Sequence, residues 1–457
     1  MKLALSIFSV LLIFLMTNIT DAQTPKEFAE VWEQTHISNK PASDNRHKDV
    51  QKYLETLKKL GLKVAEVGKS FEGREIYQVE WGTGKTKVLM WSQMHGDEPT
   101  ATPALIDMFS FLQTNRNKLE WVKKLEETLT IRAVPMLNPD GAEVFRRRNA
   151  QNIDINRDTE NLETPEARLL LKLRNEWAPD IGFNLHNQQE LTSVGKTLNQ
   201  ASISVLAVAA NPETPVSEGQ QRNRRISALI VQALEQFIKG NIARYDDSYT
   251  PNAFGDTFSD LGTPTILIET GGLHGKDEMY LIKLNFIAYL TALQSLVDGS
   301  EKTADVSFYE NLPENSSGLL YNYIFRNARV VRLVKAEKDK TDEESNKTEE
   351  KAEVEKTFQT FVADVGVNRY RRRAEVIHPP IVIRSVGDLK NRRGLDEFDV
   401  TGYFMVSTNG LLTNGRGGDL LFYKSTRKID WSSKDLSKKY KPDAVFSRGK
   451  WTVPLPK

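Results

Sequence analysis

From Lys48 onward, the apolar residues fall into two kinds of run that alternate along the chain. In the longer runs they recur at helical spacing. Val50, Tyr53, Leu54, Leu57 and Leu60 would share one face of a helix, which Gly61 is placed to close. The shorter runs, at 76–81, 87–91, 129–135, 180–185 and 263–268, are nearly continuous and rich in β-branched or aromatic residues. Runs of that length bounded by polar turns predict buried strands. Gly82-Thr83-Gly84 between the first two predicts a hairpin. Helices are predicted over 99–112 and 164–177, within 217–238, and over 281–297, and residues 23–70 read as helical and polar. Pro99 suits the first helical position, where its missing N–H would have no partner, and it pushes Glu98 into extended geometry outside the helix. Strands alternating with helices predict an α/β fold with a mixed, largely parallel twisted sheet and helices on both faces.

The pattern changes after about residue 300. Residues 335–357 are almost all charged or polar and cannot bury enough apolar surface to fold alone. Beyond them, runs at 361–367, 381–385, 402–407 and 420–423 are separated by Gly, Asn and Asp turns, which predicts a β-rich accessory domain. Residues 309–334 read as further strands of that domain, with the charged stretch as an insertion in it. The expected division is a leader at 1–22, an α/β domain at 23–300 and the β-rich domain at 301–457.

The leader is inferred from Lys2, the apolar run from Leu3 to Met16, and Thr20-Asp21-Ala22. That run is shorter than the ~20 residues of a spanning helix. It reads as a signal peptide cleaved before Gln23, with an uncleaved anchor as the alternative. The remaining composition mostly excludes. A formal net charge of +1 gives no sign of a nucleic-acid or membrane-surface partner, and no stable membrane insertion is expected after signal cleavage. There is no cysteine in the 457 residues. Thiol nucleophiles and cysteine zinc sites are therefore out, and an exported chain without disulfides fits a bacterial periplasm or exterior. Any metal must be held by carboxylates and some of the 6 histidines.

Candidate chemistry gathers at the ends of predicted strands, where open α/β sheets place their sites. His95 and Glu98 follow the run at 87–91, and His186 follows the run at 180–185. Hydrolytic zinc takes three such ligands and leaves a position for water. Each residue alone is weak evidence, since a single strand-end histidine is usually an ordinary polar residue. Glu269 follows Ile266-Leu267-Ile268, where burial would raise its pKa toward the range of a general base; a capping or ion-pair role is the other reading. Arg146-Arg147-Arg148-Asn149 and Asn156-Arg157-Asp158 offer guanidinium forks for carboxylates or oxyanions, against the plainer reading of a solvated charge run.

Taken in order, His95-Gly-Asp-Glu98, Asn138-Pro-Asp-Gly141, Arg147-Arg148-Asn149, Asn156-Arg157, His186 and Glu269 resemble the zinc carboxypeptidase family, the carboxypeptidase A-like enzymes, over residues 25–298. The resemblance implies one zinc ion per chain on His95, Glu98 and His186. Glu269 would activate the zinc-bound water and then protonate the leaving amine. Arg147 would stabilise the oxyanion, with Arg148 as the alternative register. Asn156 and Arg157 would clamp the free C-terminal carboxylate of a peptide substrate. Of the two tyrosines where the family carries a mobile one, Tyr249 is preferred to Tyr245. The terminal side-chain pocket is expected near 254–260, with Asp256 a candidate for selecting basic side chains. Asn187 and Gln188 depart from the Ser-Tyr that follows the third ligand in digestive relatives. The function implied is an exported metallocarboxypeptidase made without an activation segment. A cell-wall stem-peptide hydrolase or other amidase on the same site is one alternative, and an inactive surface binding protein another.

Overall fold

The computed structural model describes residues 22–209, 211–335, 356–433 and 435–455. The expected leader up to Asp21 and nearly all of the charged stretch lie outside them. Ten helices matter here: α1 (Pro25–Thr35), α2 (His47–Lys59), α3 (Ala101–Asn115), α4 (Glu120–Thr128), α5 (Pro139–Val144), α6 (Pro165–Trp177), α7 (Glu218–Ile238), α8 (Phe254–Asp260), α9 (Glu278–Asp298) and α10 (Ser307–Glu310). The strands up to residue 316 are β1 (Lys63–Lys69), β2 (Glu75–Trp81), β3 (Thr86–Ser92), β4 (Leu129–Val134), β5 (Ile181–His186), β6 (Ser193–Val194), β7 (Ile203–Ala207), β8 (Ile242–Arg244), β9 (Thr265–Thr270) and β10 (Asn315–Ser316).

Eight of these strands form one sheet in the order β1-β2-β4-β3-β5-β9-β7-β8. Its centre is parallel, β4 with β3, β3 with β5 and β5 with β9, while β1, β2 and β7 add antiparallel pairs. Alternation along β3 divides the core. Val88 and Met90 face the cluster built with α1, α3, α4, α7 and α9; Leu89 and Trp91 face the cluster of α6 and α8, which includes Leu170, Phe254 and Phe258. Helices therefore cover both faces, as a central parallel strand requires. Helix α9 is apolar and long enough to cross a membrane, yet it is packed as a core helix of this cluster.

Three local expectations need correction. Residues 63–69 are strand, because Gly61, at a φ of +91°, turns the chain and β1 then pairs antiparallel with β2. β2 and β3 do not form a hairpin, since β4 lies between them. The glycines at 82 and 84 instead let the connection run against backbone at the end of α4. Gly84 N donates to Leu129 O (3.1 Å), and a Cβ there would lie 1.8 Å from the Thr128 carbonyl carbon. Helix α3 starts at Ala101, so Pro99 precedes its N-cap, Thr100, rather than occupying the first turn.

A second sheet holds β11 (Leu320–Lys335), β12 (Lys356–Arg369), β13 (Ile381–Gly387), β14 (Arg393–Asp399), β15 (Tyr403–Ser407), β16 (Leu420–Lys424), β17 (Ala444–Ser447) and β18 (Lys450–Val453). It has its own aromatic core around Phe325, Phe422, Phe446 and Trp451. β11 and β12 are antiparallel and end on the pair Lys335–Lys356, so the charged stretch joins the outer ends of two paired strands. The chain leaves the first body later than residue 300. Tyr309 of α10 accepts a hydrogen bond from Ala207 N (3.0 Å), β10 pairs with β6, and the second sheet begins only at Leu320.

Candidate metal centre

The carboxyl ends of β3 and β4 are laced together, and this fixes the loop after β3. Gln93 turns out of the strand at a φ of 51°. Asn138 N donates to its carbonyl at 3.0 Å, and the Gln93 side chain accepts from Thr102 Oγ1 at 2.8 Å. Asn138 does three jobs. It caps α5 by accepting Gly141 N (2.9 Å), and its amide donates to Met94 O (3.1 Å) and Arg147 O (3.4 Å). The Asn-Pro-Asp-Gly motif is thus the brace between the His95 loop and the arginine loop. Gly96 is required by that closeness, because a Cβ there would lie 2.0 Å from the Gly141 carbonyl carbon. Asp140 holds the β1–β2 turn through Ser70 Oγ (2.7 Å) and Glu72 N (2.9 Å).

His95, Glu98 and His186 converge as expected. One ligand atom from each lies within 4.8 Å of the others, and all three side chains are buried. Glu98 bridges the two rings, with His95 Nδ1 at 2.9 Å from one oxygen and His186 Nδ1 at 2.7 Å from the other. Asn187 N also donates to Glu98 (3.1 Å), and the Asn187 side chain pairs with Thr100 at the start of α3 (2.6 Å and 3.1 Å). Burial alone would lower His95, but the Glu98 charge and the Asp154 hydrogen bond push it up to about 9. For His186 burial prevails and the shift is downward. The Glu98 carboxylate thus faces a ring nitrogen of each histidine, the place a cation would take. This two-histidine, one-carboxylate set is the donor chemistry of hydrolytic zinc.

Asp154 is the residue that sequence reasoning missed. Its Oδ1 lies 3.0 Å from His95 Nε2, and its Oδ2 accepts from Arg147 Nε at 2.9 Å. The first contact leaves Nδ1 of His95 free to face a metal, which is how a carboxylate orients a metal-binding imidazole. The signal in the chain was Asp154 two residues before Asn156-Arg157. Burial would raise Asp154, but His95 and Arg147 hold it well below the usual carboxylate range.

Glu269 pairs in register with His186 across β5 and β9, so the two share one face at the sheet's carboxyl edge. Its Oε2 is buried without a hydrogen-bond partner. Burial first and the negative Glu98 second push its carboxyl up, with His95, Arg147 and Arg371 pulling it back. Arg147 Nη1 lies 3.1 Å from His95 Nδ1 and 3.2 Å from Glu98 Oε1, whereas Arg148 donates outward to Asn152 O (2.9 Å). Asn156 Oδ1 accepts from Phe254 N (2.9 Å), and Arg157 is exposed with no carboxylate partner among the described residues.

Tyr249 is not brought to the cluster. Its hydroxyl donates to Asp260 (2.6 Å), away from Glu269. The tyrosine facing the site is Tyr245, whose pKa is raised first by the Glu269 charge and then by burial. Tyr245 directly follows β8 and packs on Leu206, Val208 and Leu267, while Tyr249 lies further out on the loop. Asp256 accepts from Thr250 N (3.0 Å) and is pushed up to about 6 by burial.

A sheet whose carboxyl edge gathers two histidines, a bridging glutamate and an in-register second glutamate defines a zinc-hydrolase type of site. Residues 49–167 match the family model described as zinc carboxypeptidase. Among curated relatives, Carboxypeptidase 2 of Trichophyton tonsurans is 30% identical over 128 residues, 26% of this chain and 23% of that one. Carboxypeptidase D of Drosophila melanogaster is 30% identical over 154 residues, 30% of this chain and 11% of that one. The chain spans about a fifth of the length of the first of these relatives. A metallo-carboxypeptidase structure from Burkholderia cenocepacia aligns with a TM-score of 0.46 at 19% identity, covering 55% of this chain and 69% of that one. Over residues 49–167 the chain is thus similar to the zinc carboxypeptidase family, and it carries a buried His-Glu-His candidate zinc site.

Proposed function

We propose that the protein is an exported zinc metallocarboxypeptidase that hydrolyses the C-terminal peptide bond of peptides. The observation that carries this reading is the buried cluster of His95, Glu98 and His186 with Glu269 in register beside it. Bound zinc supplies Lewis acidity, lowering the pKa of water toward ~7 and polarising the scissile carbonyl. Glu269 would act as general base toward the attacking water and return the proton to the leaving amine. A cation at the cluster offsets the Glu98 charge that helps push Glu269 up, which favours the ionised base. Arg147, already held by Asp154, stabilises the developing oxyanion. Asn156 and Arg157 anchor the substrate carboxylate, and Arg157's lack of a carboxylate partner among the described residues supports that role. Tyr245 replaces Tyr249 as the tyrosine expected to close over substrate.

Export is supported by the leader pattern and the absence of cysteine. N-terminal sequencing of protein recovered from outside the cytoplasm tests it: a start at Gln23 agrees, and a retained Met1 does not. Two bodies, meeting between residues 316 and 320, are proposed as the domain division. For the activity, the purified protein is incubated with zinc and a mixed peptide library and followed by mass spectrometry. Stepwise loss of C-terminal residues is expected. Internal cleavage, or none with zinc bound, contradicts the reading.

A further inference from the structure

The loop after β12 does not stay with the second sheet. It crosses to the first body and is fastened at both ends. At one end Arg369 pairs with Glu190 (3.1 Å), which also accepts from Asn322 Nδ2 (2.6 Å). At the other, the buried guanidinium of Arg373 donates to the carbonyls of Ser43 (2.7 Å), Glu143 (2.8 Å) and Ala142. Ala374 N donates to Ser43 Oγ (2.7 Å) and Glu375 N to Asp44 (2.9 Å). Between these anchors Tyr370, Arg371 and Arg372 span a cavity of about 500 Å³. Its opposite wall is made by the residues just after the candidate site, Asn187 and Gln188 following His186, and Gly271 and Gly272 following Glu269.

The charges in this cavity are unbalanced in a specific way. Its carboxylates are committed: Glu190 to Arg369 and Asn322, Glu278 to Ser43 N (2.7 Å), and Asp277 to the cap of α9 through Tyr280 N (3.0 Å). Arg371 is exposed, lies 5.6 Å from the Phe145 ring, and has no carboxylate within ion-pair distance among the described residues.

Direction follows from the other end of the site. Asn156 and Arg157 stand beside α8, and neither lines this cavity. On the carboxypeptidase reading, a peptide with its terminal carboxylate on Arg157 and its scissile carbonyl at the histidine cluster would have this cavity, walled by the residues that follow His186 and Glu269, on the side left for its acyl part. We infer that Arg371, delivered by the second sheet's loop, selects substrates carrying a carboxylate side chain on the acyl side of the scissile bond. The inference rests on the carboxypeptidase reading and deepens it. It also gives the second sheet a task, supplying one wall of the substrate groove and, in Arg371, a cation without a carboxylate partner among the described residues; Arg372 and Lys276 also line the cavity and add to its positive charge.

The test uses the full protein with zinc and peptides that differ only at the second and third residues before the scissile bond, Glu, Gln or Lys. The expected kcat/KM for Glu exceeds that for Gln by about two- to fivefold, the worth of one partly screened ion pair. In Arg371→Gln the ratio falls to about one, in Arg371→Lys it is partly restored, and in wild type it shrinks with added salt. No acidic preference in wild type overturns the inference. So does an Arg371→Gln variant that slows all three peptides by the same factor, which would make Arg371 structural. Binding of the same peptides to Glu269→Gln, read by fluorescence anisotropy, separates the two failures. If wild type cuts nothing, the carboxypeptidase reading falls. The Arg371 inference then stands where the Glu peptide binds more tightly in an Arg371-dependent way, and falls where all three bind alike.

Discussion

Asp154→Asn changes one atom of the site and removes one charge, and its effect can be worked out from three contacts. Asp154 Oδ1 meets His95 Nε2 (3.0 Å) and accepts Asn156 N (3.0 Å), while Oδ2 accepts Arg147 Nε (2.9 Å). Asn offers only one acceptor oxygen. With that oxygen kept on His95, the new amide faces the Arg147 guanidinium, donor against donor. Turned the other way, it faces the His95 N–H and leaves Asn156 N without its acceptor. In either pose a partner is lost, and so is the negative charge that makes Nδ1 a better ligand. Loss of such an orienting carboxylate costs about 10–100-fold in metal affinity, or about 1.4–2.8 kcal/mol. Arg147 keeps its 3.2 Å contact with Glu98, so its oxyanion position becomes less fixed without being abolished. Competition against a chromophoric zinc chelator at neutral pH measures the affinity, and kcat on a cleaved peptide reports on Arg147. Asp154→Ala, which has no donor to oppose Arg147, separates lost orientation from the donor clash. Zinc affinity within about threefold of wild type, with unchanged kcat, would refute the reasoning, since that is well short of the expected loss.

Gly96→Ala drives a Cβ to 2.0 Å from Gly141 backbone; the His95 loop must move, and both zinc content and thermal stability should drop, whereas a wild-type melting curve would discount the close approach. Arg373→Met leaves the carbonyls of Ser43, Ala142 and Glu143 without a buried donor and should cost about 3 kcal/mol by denaturant unfolding; a loss under about 0.5 kcal/mol, the scale of ordinary surface changes, rejects the anchoring role. Burial raises Glu190, but Arg369 and Asn322 outweigh it and hold its carboxyl below the usual value. Its contribution is therefore full above the unfolded pKa of about 4.3 and is lost as pH falls through the depressed folded value. The melting difference between wild type and Glu190→Gln should be largest at neutral pH and close toward acid, and a difference constant across that range would disagree. Removing zinc with a chelator should abolish peptide trimming and lower the melting temperature, by about 2.7 kcal/mol of stability where free zinc had been 100 times its Kd. Both should return on adding zinc; unchanged melting would deny a bound metal.

The metal cluster was legible because each of its residues ends a short apolar run, and a run that must be buried delivers its end to the sheet's carboxyl edge. The alternation of runs also carried the α/β architecture and the β-rich second part. What failed needed a third partner that the local sequence does not name. Gly82-Thr83-Gly84 looks like a hairpin turn until β4 inserts between β2 and β3. Counting back from Glu269 could not choose between Tyr245 and Tyr249, because the choice depends on where the chain leaves β8. Asp154 was visible as a polar residue, but its hold on His95 spans 59 positions of sequence. The loop from Arg369 to Arg373 falls between two predicted strands and drew no reading of its own, and only its anchors on Ser43 and Glu143 show that it belongs to the first body's groove.

The central claim is that Glu269 does the proton work beside a metal held by His95, Glu98 and His186. Its most direct test compares wild type with Glu269→Gln, each loaded to one zinc per chain, on a single peptide that wild type trims. The account predicts equal zinc content and a kcat lower by about 10²–10⁴, the usual worth of a positioned general acid–base group. A variant that keeps its zinc and trims the peptide within a few fold of wild type would contradict it.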